Sequence, residues 1–293
     1  MSWPRSAWIP EVAETEEGIG IVGAGRVGTA LARRLADQGW PPGLVASRRL
    51  DRAAALAELV GAQVAATAAE VVAGSGVTLL AVPDGQLGLV SAGIAELLPS
   101  RAGLRGKVVA HCAGIHGPEV LSACAALGAA TAALHPLAPI PDGEPACLEG
   151  AYLSLEGDPA ALLALEGVAI RLGLRSFRMA GVDRALYHAA AALAAVLPVL
   201  LERQAERAVE ASGAPVEAAA GLRQLLLLAA GNVRRLGPVA ALSGPTTRRD
   251  RATTHSHEVA LATLDPRLAE LYRLTLELAA VAPELHRGGP RDG

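Results

Sequence analysis

The sequence predicts an α/β protein in which an N-terminal domain built on a parallel sheet is followed by an all-helical domain. From Gly18 to about Met179, short apolar runs alternate with helical patterns, which is typical of βαβ units. These runs are continuously apolar instead of alternating with polar residues, as expected for strands that helices cover on both faces. From about Ala180 onward the pattern is helical only. We therefore expect a sheet domain over residues 18–179 and a helical domain over residues 180–285.

Each domain has identifiable elements. The predicted strands are the runs GIGIVG, GLVAS, VTLLAVP, KVVAHC, TAALHP, AYLSLEG and SFRM. Four helices are predicted in the second domain, over 182–210 and after the segments SGAP, SGP and DP that end at Pro215, Pro245 and Pro266. Each start carries a Ser, Asp or Pro residue of the kind that caps or opens a helix. The polar segments 1–17 and 286–293 are predicted to be tails that do not pack.

Composition disfavours several classes of protein. The 293 residues carry a formal net charge of −3, which provides no overall basic field for nucleic acid. Three cysteines, without C-x-x-C spacing, are typical of a reduced compartment and not of a disulfide framework. The chain starts with prolines and acidic residues where a signal peptide needs a cationic start and an apolar stretch. We expect a cytoplasmic protein.

The longest uncharged run, ALYHAAAALAAVLPVLL, covers Ala185 to Leu201 and contains His188 and Pro198. It is shorter than the roughly 20 apolar residues of a membrane span, so a helix buried in protein is expected and no membrane partner. A helix this apolar is unsuited to half exposure to water, and dimers dominate among soluble oligomers. The sequence therefore predicts a homodimer held by the helical domain.

A glycine-rich turn carries the main binding motif. In GIGIVGAGRVGTALARRLADQG, Gly23, Gly25 and Gly28 form G-x-G-x-x-G directly after a strand and at the start of an amphipathic helix. The first glycine permits the tight turn, the second lets backbone approach a pyrophosphate, and the third lets helix and strand pack closely. This context is that of a Rossmann fold. The predicted dinucleotide contacts in the turn are Gly23, Ala24, Gly25, Arg26, Val27 and Gly28.

The end of the second strand indicates which dinucleotide binds. An NAD site usually has an acidic residue there for the ribose 2′-hydroxyl, whereas Ser47 stands 19 residues after Gly28 and is followed by Arg48 and Arg49. A hydroxyl and guanidinium groups can donate charge-assisted hydrogen bonds to a 2′-phosphate, which an acid would repel. The sequence predicts NADP(H). The alternative is a solvated loop in which Asp51 neutralises one arginine.

Two further strand ends are expected near the cofactor. VTLLAVPDG ends at Val82 and Pro83, at the sheet edge that faces the cofactor in such folds, so both are predicted contacts on the nicotinamide side. His111 lies near the end of the KVVAHC run and is placed beside them. Asp84 is interpreted as a helix N-cap in preference to a catalytic group.

Three later stretches resemble one family. LHPLAPI from Leu134, DRALYHAAAALAAV from Asp183 and SGPTTRRD from Ser243 are similar to bacterial proteins that join a Rossmann-like domain to a helical domain of unknown function, number 2520. The resemblance covers Gly18 to about Val281. That family is similar in plan to pyrroline-5-carboxylate reductase and the β-hydroxyacid dehydrogenases, which reduce C=N or C=O bonds with NADPH and dimerise through the helical domain. Some members are alternative ketopantoate reductases.

The resemblance implies a hydride-transfer site between the two domains, acting on a 2-oxo acid such as ketopantoate or on an imine. The residues that match the family motifs are His111, Gly114, His135, Pro136, Leu137, Asp183, Tyr187, His188, Gly244, Pro245, Arg248 and Asp250. Arg184 stands where the family often has Lys. Ala113, Ala138 and Val196 replace a Ser, a Gln and an Asn, which makes ketopantoate a less favoured substrate, since polar contacts are what reject analogues. The alternative function is a non-catalytic NADP-binding sensor or scaffold.

Reduction of C=O or C=N needs a proton donor as well as hydride. His188 is the first choice, because histidine titrates near neutral pH and because residue 188 shares a helix face with Arg184; the alternative is a core histidine. His135, before the Pro-rich loop PLAPIPDGEP, and Tyr187 are further candidates, and a loop-anchoring role is the alternative for His135.

Arg248 is predicted to meet a substrate carboxylate, with an ion pair to Asp250 or Glu258 as the alternative. His255 and His257, two apart on a predicted helix, point about 200° apart, so no metal site is predicted.

Overall fold

The computed structural model describes residues 18–98, 103–245, 248 and 250–285, and the predicted tails lie outside these ranges. The chain divides into two compact units, residues 1–195 and 196–293. This division falls inside a 28-residue helix, whereas the predicted domain boundary stands at residue 180, before that helix.

The first unit contains a sheet of eight strands. They are β1 Ile19–Val22, β2 Leu44–Ala46, β3 Gln63–Val64, β4 Val77–Leu80, β5 Val108–His111, β6 Ala130–Leu137, β7 Tyr152–Gly157 and β8 Arg175–Arg178. Their order is β3-β2-β1-β4-β5-β6-β7-β8. The first six strands thus follow the 3-2-1-4-5-6 order of dinucleotide-binding folds. The predicted Rossmann sheet is confirmed.

One strand pair of the predicted parallel sheet is antiparallel. β7 runs antiparallel to β6, while every other neighbouring pair is parallel. A parallel pair needs a crossover, usually a helix, whereas the β6–β7 connection contains a short 3₁₀ turn at Pro145–Leu148. β3 was not predicted, because its two exposed residues are too few to show a pattern.

The helices are α1 Arg26–Asp37, α2 Leu50–Val60, α3 Ala68–Ala73, α4 Leu87–Leu97, α5 Ser122–Ala126, α6 Pro159–Leu172, α7 Arg184–Ala211, α8 Glu217–Leu236, α9 Arg251–Leu264 and α10 Pro266–Leu285. Two apolar clusters cover the sheet. Leu31 and Leu35 of α1 and Leu165 of α6 belong to one of them, and Leu87 and Ile94 of α4 belong to the other. Because both faces are covered, the carboxyl ends of the central strands are where polar chemistry can gather.

The helices of the second unit agree with those predicted, with one shifted start. α9 begins at Arg251 and not directly after Pro245, because the Asp250 carboxylate accepts a hydrogen bond from the Thr253 backbone N–H at 3.1 Å and caps the helix there.

One helix in the described part of the chain, α7, is long and apolar enough to cross a membrane, judged by length and composition alone. None of its residues is buried within the single chain, so the predicted burial of α7 in protein depends on the predicted homodimer and stays a prediction.

Candidate cofactor-binding and active site

The glycine turn after β1 has the geometry that a pyrophosphate requires. Gly23 has a φ of 111°, and a Cβ there would lie 2.3 Å from the Ala81 carbonyl oxygen. A Cβ on Gly28 would lie 1.9 Å from the Gly23 oxygen, so helix and strand approach closely. A Cβ on Gly25 would meet nothing within 4 Å, and Gly25 precedes α1 without a side-chain cap. The first N–H groups of α1 therefore face open space at Gly25.

A cleft of about 370 Å³ continues from this turn along the carboxyl ends of β1, β2 and β4. Its lining consists of Val22, Gly23, Ala24, Gly25, Ala46, Ser47, Arg48, Arg49, Arg52, Ala66, Ala68, Ala81, Val82, Pro83, Gln86 and Val90. Eight predicted cofactor residues are in this set: Gly23, Ala24, Gly25, Ser47, Arg48, Arg49, Val82 and Pro83. The structure therefore brings the glycine turn, the two-arginine segment and the end of β4 to one cleft.

Four predicted cofactor residues lie outside that lining. Gly28 is packed against the turn, and Val27 packs against the apolar core. The Arg26 guanidinium is exposed and donates a hydrogen bond to the Pro141 carbonyl at 3.3 Å. His111 is treated below.

The two arginines after β2 are in different electrostatic situations. Arg49 forms an ion pair with Asp51 at 2.7 Å, which raises the pKa of the guanidinium and lowers the pKa of the carboxyl group. Asp51 thus neutralises one arginine, as the alternative interpretation supposed. Arg48 has no ion-pair partner in the described part of the chain, and it remains available to an anion in the cleft.

Arg52 is a cleft residue that the sequence did not single out. It lies in the first turn of α2, four residues after Arg48, and its side chain also lines the cleft. Arg48 and Arg52 stand four residues apart, with Ser47 just before Arg48. This spacing of two cations was the sequence signal that could have identified Arg52. Together with the N-terminus of α2, these residues form a cationic end of the cleft.

Pro83 precedes a 3₁₀ turn over Asp84–Gln86 and takes the cap position that was predicted for Asp84. The carboxylate of Asp84 makes no capping hydrogen bond, because Asp84 lies inside the first turn.

His111 is a buried histidine whose two ring nitrogens are both hydrogen-bonded to the backbone. It is fully buried, its Nε2 lies 3.0 Å from the Gly117 carbonyl, and its Nδ1 accepts a hydrogen bond from the Ala113 N–H at 3.2 Å. Nε2 therefore carries the proton and donates to Gly117. Burial lowers the pKa of the imidazole. A neutral His111 holds the loop from Cys112 to Gly117 in place.

Three predicted catalytic side chains meet beside that loop. The His135 Nδ1 lies 3.2 Å from the Tyr187 hydroxyl oxygen, and the Tyr187 hydroxyl donates to Ser154 Oγ at 2.9 Å. The rings of His135 and His188 pack edge to face with centroids 5.8 Å apart. A Cβ on Gly114 would lie 2.7 Å from His188 Cδ2. The glycine therefore lets both imidazoles approach the loop.

An ion pair borders this cluster. The Arg184 Nε donates to Glu156 Oε2 at 2.7 Å, and its Nη1 donates to the Gly114 carbonyl at 3.4 Å. Burial, together with repulsion by His188 and Arg184, lowers the pKa of His135 to about 4, while Asp84 opposes the shift. His135 is therefore neutral near pH 7. Asp84, at the β4 end of the cofactor cleft, is thus among the charges that His135 experiences.

The Pro-rich loop after β6 is attached to α1. Glu144 forms an ion pair with Arg33 at 2.5 Å, and Pro141 accepts the hydrogen bond from Arg26. The Pro-rich loop is thus held against the helix that follows the glycine turn.

The alanines that replace polar family residues pack in apolar surroundings. Ala113 belongs to one core cluster, and Ala138 packs against the other. Val196 and Arg248 belong to the second unit, where both are exposed.

The Asp250 carboxylate accepts hydrogen bonds from Thr253, which lower its pKa, and the charge of Arg248 lowers it further.

Two family models match the chain, the Rossmann-like domain over residues 5–136 and the domain of unknown function 2520 over residues 151–278. They confirm the resemblance that the motifs indicated. No curated protein matches the chain.

Solved structures share the fold. A candidate NADP oxidoreductase from Bacteroides fragilis is 23% identical, with a TM-score of 0.72, over 90% of this chain and 97% of that one. A reductive aminase from Aspergillus terreus in complex with NADPH is 20% identical, with a TM-score of 0.59, over 93% and 94%. A pyrroline-5-carboxylate reductase from Coxiella burnetii is 17% identical, with a TM-score of 0.55, over 90% and 96%. At these identities the likeness establishes the fold.

Proposed function

The chain carries both domains of the family that joins a Rossmann-like domain to a domain of unknown function 2520, and from this premise we propose that it is an NADPH-dependent reductase. Hydride is transferred to a C=O or C=N bond of a small molecule, a 2-oxo acid or an imine. The observation that carries the proposal is the cleft that combines the glycine turn with Arg48 and Arg52. The NADPH-bound reductive aminase of the same fold supports it.

The residues of the cleft fit NADP(H) in three places. The backbone at Gly25 and the N-terminus of α1 would hold the pyrophosphate, since a Cβ there would occupy the open space. Ser47, Arg48 and Arg52 would bind the 2′-phosphate. Ser47 stands where an NAD site has a carboxylate, which would repel that phosphate. Val82 and Pro83 would face the nicotinamide. The cofactor supplies the hydride when it is bound.

Proton supply is assigned to His188. His135 is neutral near pH 7 because its pKa is about 4, which makes it unsuitable as an acid. Tyr187 donates its hydroxyl proton to Ser154. His188 makes no hydrogen bond to any residue in the described ranges, so its ring nitrogens are available to substrate. It adjoins His135 and Gly114, the glycine that leaves room beside both rings.

The test is NADPH oxidation with a panel of 2-oxo acids, aldehydes and cyclic imines. If His188 is the acid, His188→Ala lowers turnover roughly 10²- to 10⁴-fold with nearly unchanged NADPH affinity. His255→Ala, at an exposed histidine of the second unit, is the control and retains turnover. Full turnover in His188→Ala would overturn the assignment of the acid. NADPH binding without oxidation across the panel would contradict the reductase.

A non-catalytic NADP-binding protein is the second candidate. It is favoured by Ala113 and Ala138, which pack in apolar clusters where related proteins have polar side chains. Such a protein binds NADPH as tightly as a reductase but turns over no member of the panel. For either function we also propose a cytoplasmic homodimer.

A further inference from the structure

Ser154 is a buried hydroxyl in the middle of an apolar strand. It is 1% exposed and lies between Leu153 and Leu155, which are fully buried. In the antiparallel pairing of β6 and β7, Ser154 is directly opposite His135. Tyr187, in the first turn of α7, places its hydroxyl between the two side chains, 2.9 Å from Ser154 Oγ and 3.2 Å from His135 Nδ1. Three elements thus build one hydrogen-bonded chain.

The number of protons shared by Ser154, Tyr187 and His135 determines the tautomer of His135. Tyr187 has one hydroxyl proton, which it can give either to Ser154 Oγ at 2.9 Å or to His135 Nδ1 at 3.2 Å. The shorter contact favours Ser154 as the acceptor, and toward His135 the phenol oxygen then accepts, so that Nδ1 carries the imidazole proton. A neutral imidazole has one N–H, and Nε2 is therefore left with a free lone pair.

Residue 114 is a glycine, so no side chain from that position covers the Nε2 atom of His135. A Cβ at Gly114 would lie 2.9 Å from His135 Nε2 and 2.7 Å from His188 Cδ2, so it would fill the space beside both rings. The Gly114 carbonyl is held by Arg184, which is itself paired with Glu156. In the described residues His135 Nε2 has no hydrogen-bond partner and is not among the buried unpaired polar atoms, so it is accessible to a ligand.

We propose that Ser154 is a positioning residue that acts through Tyr187 to hold His135 in the Nδ1–H tautomer, so that Nε2 accepts a hydrogen bond from an N–H or O–H group of the ligand. That the ligand is a substrate or product of reduction rests on the proposed function. An alcohol or amine product and a protonated imine each carry such a donor. The tautomer itself is a property of the free protein.

The test is nitrogen-15 NMR of histidine-labelled protein near pH 7, with His135 assigned through His135→Gln. The coupling pattern identifies the ring nitrogen that carries the proton. Wild type is expected to show Nδ1–H. In Ser154→Ala the Tyr187 proton loses its acceptor and can turn to Nδ1, so Nε2–H is expected. Ser91→Ala is the matched control, because Ser91 is a buried serine that donates a hydrogen bond to Cys124 and lies outside this cluster. In this variant His135 should keep the proton on Nδ1.

Wild-type protein with the proton on Nε2 would overturn the proposal, and so would an unchanged tautomer in Ser154→Ala. The wild-type measurement decides even where a variant fails to fold. Failure of the reductase proposal is visible separately, as absent NADPH oxidation with the wild-type tautomer intact. Where turnover exists, Ser154→Ala should lower kcat/KM about tenfold, the scale of one hydrogen bond, with NADPH affinity unchanged. The same loss with an unchanged tautomer would contradict the positioning role.

Discussion

At the scale of single residues, we expect the arginines after β2 to decide the cofactor preference. Arg48 is unpaired within the described residues, whereas Arg49 is already bound to Asp51. Loss of a charge-assisted contact to phosphate costs roughly 1.5 to 3 kcal/mol, which is about ten- to a hundredfold in affinity. We expect Arg48→Ala to weaken NADPH binding by that factor and to leave NADH binding nearly unchanged, measured by fluorescence titration of both cofactors.

Arg49→Ala is the matched control for that change, because it removes a neighbouring arginine whose charge Asp51 already neutralises. Its effect on NADPH affinity should be clearly smaller. Equal affinity of the wild-type protein for NADPH and NADH would remove the basis for assigning a 2′-phosphate site here.

The charge state of His135 links the site to stability. Its pKa is about 4 in the folded protein, below roughly 6.5 for an unfolded histidine. Between these values the unfolded chain binds more protons, so the free energy of unfolding falls as the pH drops from about 6.5 toward 4. The groups that set the shift besides burial are His188, Arg184, Asp84 and His111.

The contribution of His135 is at most about 3.5 kcal/mol, at roughly 1.4 kcal/mol per pKa unit. Urea unfolding at pH 7 and pH 4.5 should therefore show a smaller pH-dependent loss in His135→Gln than in wild type. His111, whose pKa is also lowered, contributes equally to both proteins. Identical losses would mean that His135 is protonated as easily in the folded chain as in the unfolded one.

Residues that belong to a recognisable motif were predictable, and a contact that depends on strand register was not. Gly23, Gly25, Ser47 and Arg48 follow from local motifs, and the structure places all four at one cleft. Ser154 was not predicted, because its link to Tyr187 spans 33 residues and depends on the register of β7.

At the scale of elements, two glycines of the turn after β1 serve different needs. Gly28 is required for the packing of α1 on the sheet, and we expect Gly25 to be required for cofactor binding. A Cβ on Gly28 would meet the Gly23 carbonyl at 1.9 Å, whereas a Cβ on Gly25 would meet nothing within 4 Å. We expect Gly28→Ala to lower the melting temperature, since strand and helix must move apart. Gly25→Ala should keep the melting temperature and lose cofactor affinity, because its methyl group enters the space assigned to the pyrophosphate. Thermal unfolding and NADPH titration of both variants check this.

The two variants are controls for each other. A large loss of stability in Gly25→Ala would show that the turn is constrained by the protein itself. Unchanged NADPH affinity in a folded Gly25→Ala would place the pyrophosphate elsewhere.

Element types were predicted better than their pairing. The strands that form the centre of the sheet are continuously apolar and were found at their positions, as were the four C-terminal helices. The antiparallel direction of β7 was not predicted, since a short connection without a crossover helix carries no strong sequence pattern. The start of α9 was shifted, because Asp250 competes with the earlier Ser243 as a cap.

For the whole molecule, the exposed face of α7 is the feature on which the predicted homodimer rests. Leu186, Leu193, Leu197 and Leu200 are 69%, 61%, 41% and 53% exposed. Their spacings of seven, four and three residues place them on one stripe of the helix. An apolar stripe of this length is unusual on the surface of a soluble monomer and marks an interaction site. The predicted homodimer would cover it with the same stripe of a second copy.

Multi-angle light scattering should therefore give twice the chain mass at micromolar concentration. Leu193→Glu places a carboxylate in the proposed interface, where burial of an unpaired charge is costly, and should yield monomer. Leu163→Glu changes a leucine of α6 that is 64% exposed and should remain dimeric. A wild-type monomer would contradict the dimer. Since α7 is also apolar enough to span a bilayer, that monomer would next be tested by flotation with phosphatidylcholine vesicles, where binding would identify lipid as the cover of the stripe.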